Sequence, residues 1–470
     1  EYLRHSRTKK KIKVVSAHSK AYSWNSDIDL HISVRPGTEP FFLLGIFKVS
    51  IERGWVDTQY IRDYTEGFSE IIGLLESWSV ARCAQICGVE PSEISGVGLK
   101  FSRAAMALVH LNPGFFLNHH AALGGWAWMA LHMISANALR PGGIYENPGG
   151  FDFHPLLSSI PSQKAPRVEN IQHQLMQTSV GMLQKTLEQK KVTSLIIAGD
   201  LPIHLQSPEM KNLLHSLELL VVASHRKTWL TEIADWVLPM AHPLEKSERI
   251  IHNSNTLPYK ALPYLNPRLE LPKDAKRWSD ILLHLHKEWK PSILGSSEWG
   301  SHLRLISRVI ADSSAESKIE QCINLLKENI QQEEKLWFEG ESDRALWRPK
   351  GQKINFAPEY LKLLLDNIYI PDEDDNFPFF LQISFPIPRA IESQPQIIIH
   401  PTHNKKENQS VRISTKYGEV LSQVRVSESV RKDTVITNAH PAFSVLASGK
   451  YAPFTGTPVL WGERCRLLPT

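Results

Sequence analysis

Cysteine is scarce in this 470-residue sequence: Cys83, Cys87, Cys322 and Cys465 are all there are. Thiols so few and scattered build neither a disulfide framework nor a four-thiolate cluster, so a reducing, cytoplasmic compartment is the expectation. Cys83 and Cys87 could share a helix face, but without two more ligands nearby they read as small buried hydrophobes. Charge of one sign is also missing. The 53 basic and 49 acidic residues leave +4, and the basic ones are dispersed apart from RTKKKIK at 7–13, which excludes a nucleic-acid partner. No apolar run approaches the roughly 20 residues that span a bilayer, so no transmembrane segment is expected. G-x-S-x-G, P-loop, G-x-G-x-x-G and H-E-x-x-H patterns are absent as well. His119-His120 and His400-x-x-His403 could offer zinc ligands, but lacking a carboxylate partner they read as ordinary histidines. The chain starts at Glu1 without a signal-like leader, and is expected to be part of a longer protein.

What is present is a chain long enough for two or three cores, 42% hydrophobic and 22% charged. KIKVVSAHS reads as a buried strand ending in a ligand-type loop, and DLHISV (29–34) as a second strand before the turn RPGTE. Helical spacing follows over 40–53, 57–64, 69–87 and 91–104. AMALVHL (105–111) reads as a buried strand, Asn112-Pro113-Gly114 as a tight loop, and 124–137 as an apolar helix before the glycine-rich RPGG and NPGG. A second α/β unit follows, with helix 170–190, strand SLIIAGD (194–200), helix 208–217, strand ELLVVAS (218–224) and ADWVLP (234–239). This alternation predicts a parallel sheet. Residues 276–348 read as mostly helical. Beyond the acidic PDEDDNFP (371–378) the period changes to two, as in a small β barrel.

Taken in order, these segments resemble the molybdopterin-dinucleotide oxidoreductases of the dimethyl-sulfoxide-reductase and formate-dehydrogenase type. KIKVVSAHSK and SDIDLHISVRPGTEP are similar to that family's strand, cofactor loop and RPGTD turn. HMISANALRPGGIYENPGG, IIAGDLP and EIADWVLPMAHPLEKSERIIHNS resemble later loops, and the stretch from IIIHP to GTPVL resembles its dinucleotide-binding barrel. The resemblance implies an α/β fold, with parallel-sheet Rossmann-like lobes at 1–165 and 166–370 and a double-psi-type barrel at 371–470. It further implies a bis-molybdopterin guanine dinucleotide with molybdenum or tungsten, and oxygen-atom or hydride and electron transfer at that metal. A small-molecule substrate and an electron-transfer subunit are the partners it implies. An iron-sulfur cluster and the metal ligand would lie upstream.

Carried over by position, Lys20 stands for the arginine of the family's Asp-Pro-Arg loop, and Pro36, Gly37, Thr38 and Glu39 form the turn beside one guanine. Asn118 and His119 resemble the Gln-His near the pterin, Gly199, Asp200 and Pro202 approach the second dinucleotide, and Asn253 lies in the loop after Glu245. Departures are equally specific. His18-Ser19 replaces Asp-Pro, Leu201 replaces the asparagine of Gly-Asn-Pro, Trp229-Leu230 replaces Glu-Thr, and Ser247 to Ile250 lacks the Gly-Thr. Those changes raise the alternative of a cofactor-free relative serving as a scaffold or subunit.

Overall fold

The computed structural model describes residues 12–21, 28–138, 143–144, 180–199, 201, 208–246, 248–249, 260–261, 264–265, 268–278, 280–282, 284, 337–338, 353–370, 374–384, 394–452 and 455–470. Most of the expected helical segment 276–348 lies outside these residues, as does 170–179.

The first lobe is organised around one helix. Strands β1 (Val15–Ala17) and β2 (Leu30–Ile32) pair in parallel, and the turn after β2 leads into α1 (Glu39–Glu52). That helix is apolar nearly all round, with Phe41, Phe42, Leu43, Leu44, Ile46 and Phe47 buried, which suits a central helix rather than a surface one. It is wrapped by α4 (Val80–Cys87), α5 (Pro91–Arg103) and α6 (Ala121–Ile134); α2 (Thr58–Tyr64) and α3 (Phe68–Leu74) complete the layer. Pro91 sits in the first turn of α5, where its missing N–H costs nothing, and Glu90 and Glu93 form a reciprocal cap.

Three local expectations are corrected. The helix expected over 69–87 is two helices, because Ser79 accepts a hydrogen bond from the Arg82 amide and starts α4 afresh. AMALVHL is no strand: Met106 and Leu108 are exposed, and side chains take up its backbone groups. The Val109 amide donates to His132 Nε2 (3.0 Å), and the Val109 carbonyl accepts from Trp128 Nε1 (2.7 Å). Residues 353–370, read with the second lobe, pack instead on the first. Leu361 and Leu364 of α10 (Glu359–Asp366) join its core, and Trp126 Nε1 donates to the Phe356 carbonyl at 2.9 Å.

The second lobe is a parallel sheet in the order β3 (Ser194–Ala198), β4 (Leu219–Ser224), β5 (Trp236–Pro239). Helices α7 (Val180–Glu188), α8 (Pro208–His215) and α9 (Trp229–Ile233) belong to this unit. Their Leu187, Met210, Leu214 and Leu230 share a core with Leu220 and Val222 of β4. Asp235, in the ADWVLP segment, acts structurally: its carboxylate accepts from the Leu220 amide at 2.7 Å and extends the β4–β5 pairing.

The C-terminal part closes a six-stranded barrel from β6 (Phe379–Gln382), β7 (Gln396–Ile399), β8 (Ser410–Ser414), β9 (Glu419–Val426), β10 (Thr434–Thr437) and β11 (Trp461–Leu468). Around it the order is β6-β10-β7-β9-β8-β11, with β6–β10 and β7–β9 parallel and the other pairs antiparallel. Alternate residues Val411, Ile413, Val420 and Val424 fill its interior with Phe443 and Leu446.

Lobe and barrel are joined by charge. Arg35 of the turn donates to Asp433 (Nε to Oδ2, 3.0 Å), and Arg431 donates to the other oxygen (2.6 Å) while its Nη1 donates to the Ser33 carbonyl. Burial alone would raise the Asp433 carboxyl, but the hydrogen bonds and charges of Arg431 and Arg35 outweigh it and hold the group below the usual range. The three side chains remain 16–29% exposed, so the loss on Asp433→Ala should be about 2 to 3 kcal/mol, under the figure for fully buried pairs. A lowered urea midpoint, followed by tryptophan fluorescence, is the expected outcome; an unchanged midpoint would show that the junction holds without this ion pair.

Candidate functional site

The loop after β1 is tied to the barrel by main-chain bonds. The Arg431 amide donates to the Ser19 carbonyl (3.0 Å), the Ala21 amide donates to the Ser429 carbonyl (2.8 Å), and Lys20 bridges Val430. Ser19 Oγ donates to Gln382 Oε1, and the Lys20 amide donates to His18 Nδ1 at 3.1 Å. His18 packs edge-on against Trp461, and burial pushes its pKa down to about 4. The His18-Ser19 substitution therefore fits a loop docked on the barrel. Lys20 is half-buried, and its pKa is lowered by that burial and then by Arg425.

The RPGTE turn comes next. Gly37 has φ +83°, and a Cβ there would stand 2.8 Å from the Trp461 carbonyl oxygen and 3.0 Å from Gly462 Cα. Glycine is thus required twice, for the left-handed angle and for the close approach of the barrel strand. Thr38 Oγ1 donates to the Arg35 carbonyl at 2.7 Å and closes the turn. Glu39 then opens α1 with its side chain buried, and neither carboxylate oxygen has a hydrogen-bond partner. Burial pushes its pKa up to about 7, and the nearby amides of Glu39 and Gly37 only partly offset that.

Asn118 and His119 reach the same place from another direction. Asn118 is fully buried; its Oδ1 accepts from the His120 amide (2.7 Å) and its Nδ2 donates to the Phe115 carbonyl. The preceding Leu117 carbonyl accepts from the Leu460 and Trp461 amides, at 2.8 and 2.9 Å. Asn118 is therefore a structural brace that fixes the turn presenting His119. The Nδ1 atom of His119 is buried without a partner, and its pKa is lowered by burial and by Lys450. Its neighbour His120 donates from Nε2 to the Tyr369 carbonyl at 2.6 Å, with its pKa down to about 4.

Pro36, Gly37, Thr38 and His119 line one cavity of about 30 Å³, together with barrel residues Lys450, Val459, Trp461 and Glu463. That is room for roughly two water molecules. Sequence reasoning missed Lys450, Trp461 and Tyr369 and read His120 as an ordinary histidine; the GTPVL segment was legible as barrel, but only closure of the barrel brings its neighbour Trp461 against the turn. Gly199 is elsewhere, at the end of β3, with φ +94°, open space on its Cβ side and its amide donating to the Ala223 carbonyl at 2.7 Å. Asp200, Pro202 and Asn253 lie outside the described residues, as do Ser247 and Ile250.

Two of the substituted positions are core residues. Leu201 and Leu230 are buried in the second lobe's cluster, and Trp229 lies under the Lys211 ammonium at 5.1 Å while Thr228 caps α9. His400 caps a short turn by accepting from the Thr402 amide, and His403 donates to the Lys432 carbonyl. Among the described residues no three potential ligands are grouped to hold a metal ion, and no helix is long and apolar enough to cross a membrane.

No protein-family model matches the chain. It is 25% identical over 254 residues to the F420-dependent formate dehydrogenase subunit alpha of Methanocaldococcus jannaschii, covering 50% of this chain and 37% of that one. It is 21% identical over 271 residues to the nitrate reductase of a Synechocystis species, covering 52% and 38%. The chain thus spans less than two-fifths of the length of these curated relatives. Acetylene hydratase from Pelobacter acetylenicus superposes on 99% of this chain and 75% of its own, with a TM-score of 0.75 at 15% identity, a likeness of fold.

Two outcomes are expected. Gly37→Ala should cost at least about 2 kcal/mol through strain and overlap, read from thermal unfolding. His18, His120 and His132 have folded pKa values of about 4 against 6.5 when free, so the unfolded state binds more protons between those values. The histidines' contribution to stability should be full above pH 6.5 and fall as pH drops toward 4, by up to about 3 kcal/mol per histidine, which outweighs the opposite contribution of the single raised carboxyl Glu39. A flat stability profile between pH 7 and 5 would contradict those burials.

Proposed function

Starting from homology to the molybdopterin oxidoreductases, we propose that this chain is the pterin-holding part of an enzyme that transfers an oxygen atom or a hydride and electrons at molybdenum or tungsten. The bound form would be the guanine dinucleotide, two per metal, and the six-stranded barrel would be of the double-psi type, a reading supported by its two parallel strand pairs. We divide the chain into lobes at about 1–165 and 166–370 and a barrel at 371–470, with 353–370 packed on the first lobe. Metal ligand and any iron-sulfur cluster are assigned to no residue of this chain.

One observation carries the reading: the Glu39 carboxyl, buried at the start of α1 with no well-formed hydrogen bond and only the amides of Glu39 and Gly37 to offset its burial. Such a group costs stability unless something supplies N–H donors or positive charge. A pterin or guanine edge offers such donors. His119 Nδ1 needs a partner too, and Lys450 in the same cavity suits an anionic oxygen. These residues therefore fit the group chemically. Glu39 would accept from the ring N–H edge, His119 and Lys450 would hold anionic oxygens, and the open Gly199 would let backbone approach a pyrophosphate. Lys20 would add charge from the loop, and Pro36, Gly37 and Thr38 would shape the wall. Asn118 keeps the His119 turn in place; Asp200, Pro202 and Asn253 complete the proposed set.

The metal, when bound, supplies the change of oxidation state. The protein's part is to seat the group, keep water from the closed turn, and hold Glu39 where protonation and ligation trade against each other. A small-molecule substrate and an electron-transfer subunit are the proposed partners, in the cytoplasm. The cofactor-free scaffold reading is not favoured, since the relatives carry enzyme names and the substitutions at His18-Ser19, Leu201 and Trp229-Leu230 are accounted for by packing.

Mass spectrometry of natively expressed protein should find close to one molybdenum or tungsten per chain, with two pterins released by acid. A folded protein with neither, from a host that makes the cofactor, would remove the enzyme reading. Glu39→Gln separates roles: its folded pKa of about 7 lies above the free 4.5, so ionised Glu39 destabilises the empty protein above that range. The variant should gain up to about 3 kcal/mol at pH 8 when empty, and lose pterin content.

A further inference from the structure

Tyr369 belongs to the segment 353–370 that packs on the first lobe, and it reaches the cavity lined by His119 and Lys450. Its carbonyl accepts from His120 Nε2 at 2.6 Å, and the His120 ring stands edge-on to Phe41 of α1 with centroids 4.8 Å apart. Ile368, just before it, packs against the core of the same lobe. The first lobe therefore sets where the Tyr369 ring stands.

Two contacts of that ring lie at the cavity. The Lys450 ammonium is 4.8 Å from the ring centre, and the His119 ring meets it edge-on at 5.5 Å. Lys450 comes from the barrel side, where its carbonyl accepts from the Val459 amide at 3.0 Å and Gly449 before it takes φ +67°. Its backbone is thus fixed, but the side chain is exposed and long, and holding it in one place costs rotamer entropy. An aromatic face offsets that cost by attracting the ammonium, and it also directs it. Lys416, within electrostatic reach of Tyr369 as well, lies over Tyr417, and the buried Glu463 of the cavity wall acts on Lys416 in turn. The nearness of Lys450 to His119 is felt by the imidazole: burial first, then the Lys450 charge, disfavours its protonated form.

We propose that Tyr369 is a positioning residue, whose ring holds the Lys450 ammonium beside His119 so that the two present a single site for an anionic oxygen. The inference rests on reading this cavity as part of the pterin site, and it assigns there a residue that acts through Lys450. A ring supplied by the first lobe thereby orients a charge supplied by the barrel, and the site is complete only where the two meet.

The test follows His119 in the full chain by NMR with isotope-labelled histidine, the resonance being identified by its loss in His119→Gln. Tyr369→Leu should release the ammonium and let the His119 pKa move up toward the ordinary histidine value, and Lys450→Met should move it the same way. The double variant should show no more than Lys450→Met alone, because Tyr369 acts through that lysine. Tyr369→Phe keeps the ring face and should restore the original titration. In protein from the native host, the pterin retained through gel filtration should fall about two- to fivefold in Tyr369→Leu, the size of an exposed cation–ring contact, and recover in Tyr369→Phe. An unmoved His119 in Tyr369→Leu, effects that add in the double variant, or a Tyr369→Phe variant that behaves like Tyr369→Leu would each overturn the proposal. The NMR series needs no cofactor, so the two readings fail separately. Native protein without pterin would remove the enzyme reading and leave the series to decide on Tyr369, whereas a failed series with pterin in place would remove the positioning role alone.

Discussion

Asp433 takes one guanidinium from the lobe and one from the barrel, and the geometry of the candidate site depends on that junction. Arg35 is the first residue of the RPGTE turn, so the same side chain that anchors the barrel sets where Gly37 and Glu39 stand. It also donates to the Gln85 carbonyl and lies over the Phe380 ring, which the Arg464 guanidinium approaches at 3.8 Å. A planar, permanently charged fork can make these contacts together, where lysine would supply one point charge. With Arg35 held, the barrel strand bearing Trp461 and Gly462 comes within contact distance of the turn, and only glycine fits between them.

The junction explains why buried titratable groups collect there. His18, Glu39, His119 and His120 all sit where loops of the lobe are pressed between α1 and the barrel, and each has its charged form disfavoured by burial. The histidines respond by staying neutral, with His18 and His120 in hydrogen bonds that fix their tautomers. Glu39 has no well-formed bond of this kind, and only the amides of Glu39 and Gly37 offset its burial, so its carboxyl is the part of the junction that packing does not account for.

The substituted loops divide along the same physical line. Leu201 and Leu230 face a core, where a hydrocarbon side chain contributes burial that an amide or carboxylate would oppose. His18 and Ser19 face the barrel and bond to it. Among the described residues the positions that depart from the family pattern are thus internal contacts, and of those that keep it Pro36, Gly37 and Thr38 line the cavity while Gly199 stands apart at the end of β3.

Much of this was legible without coordinates. Period-two alternation announced β8 and β9, helical apolar spacing announced α1, and strand–helix alternation announced the parallel sheet, because each depends on neighbours a few residues apart. The RPGTE turn was legible too, since a glycine between proline and threonine signals a left-handed angle. Other features were invisible for a single reason: they come from residues hundreds of positions apart. Nothing local marks Trp461 as the neighbour of Gly37, Lys450 as the neighbour of His119, or Asp433 as the partner of Arg35. AMALVHL carries a strand's composition, yet His132 and Trp128 claim its backbone. The helix over 69–87 was broken by one serine cap. Local chemistry determined the elements and the turn; closure of the barrel against the lobe decided which side chains meet, because burial, and with it every shifted pKa and unpartnered atom, exists only once both surfaces are in place.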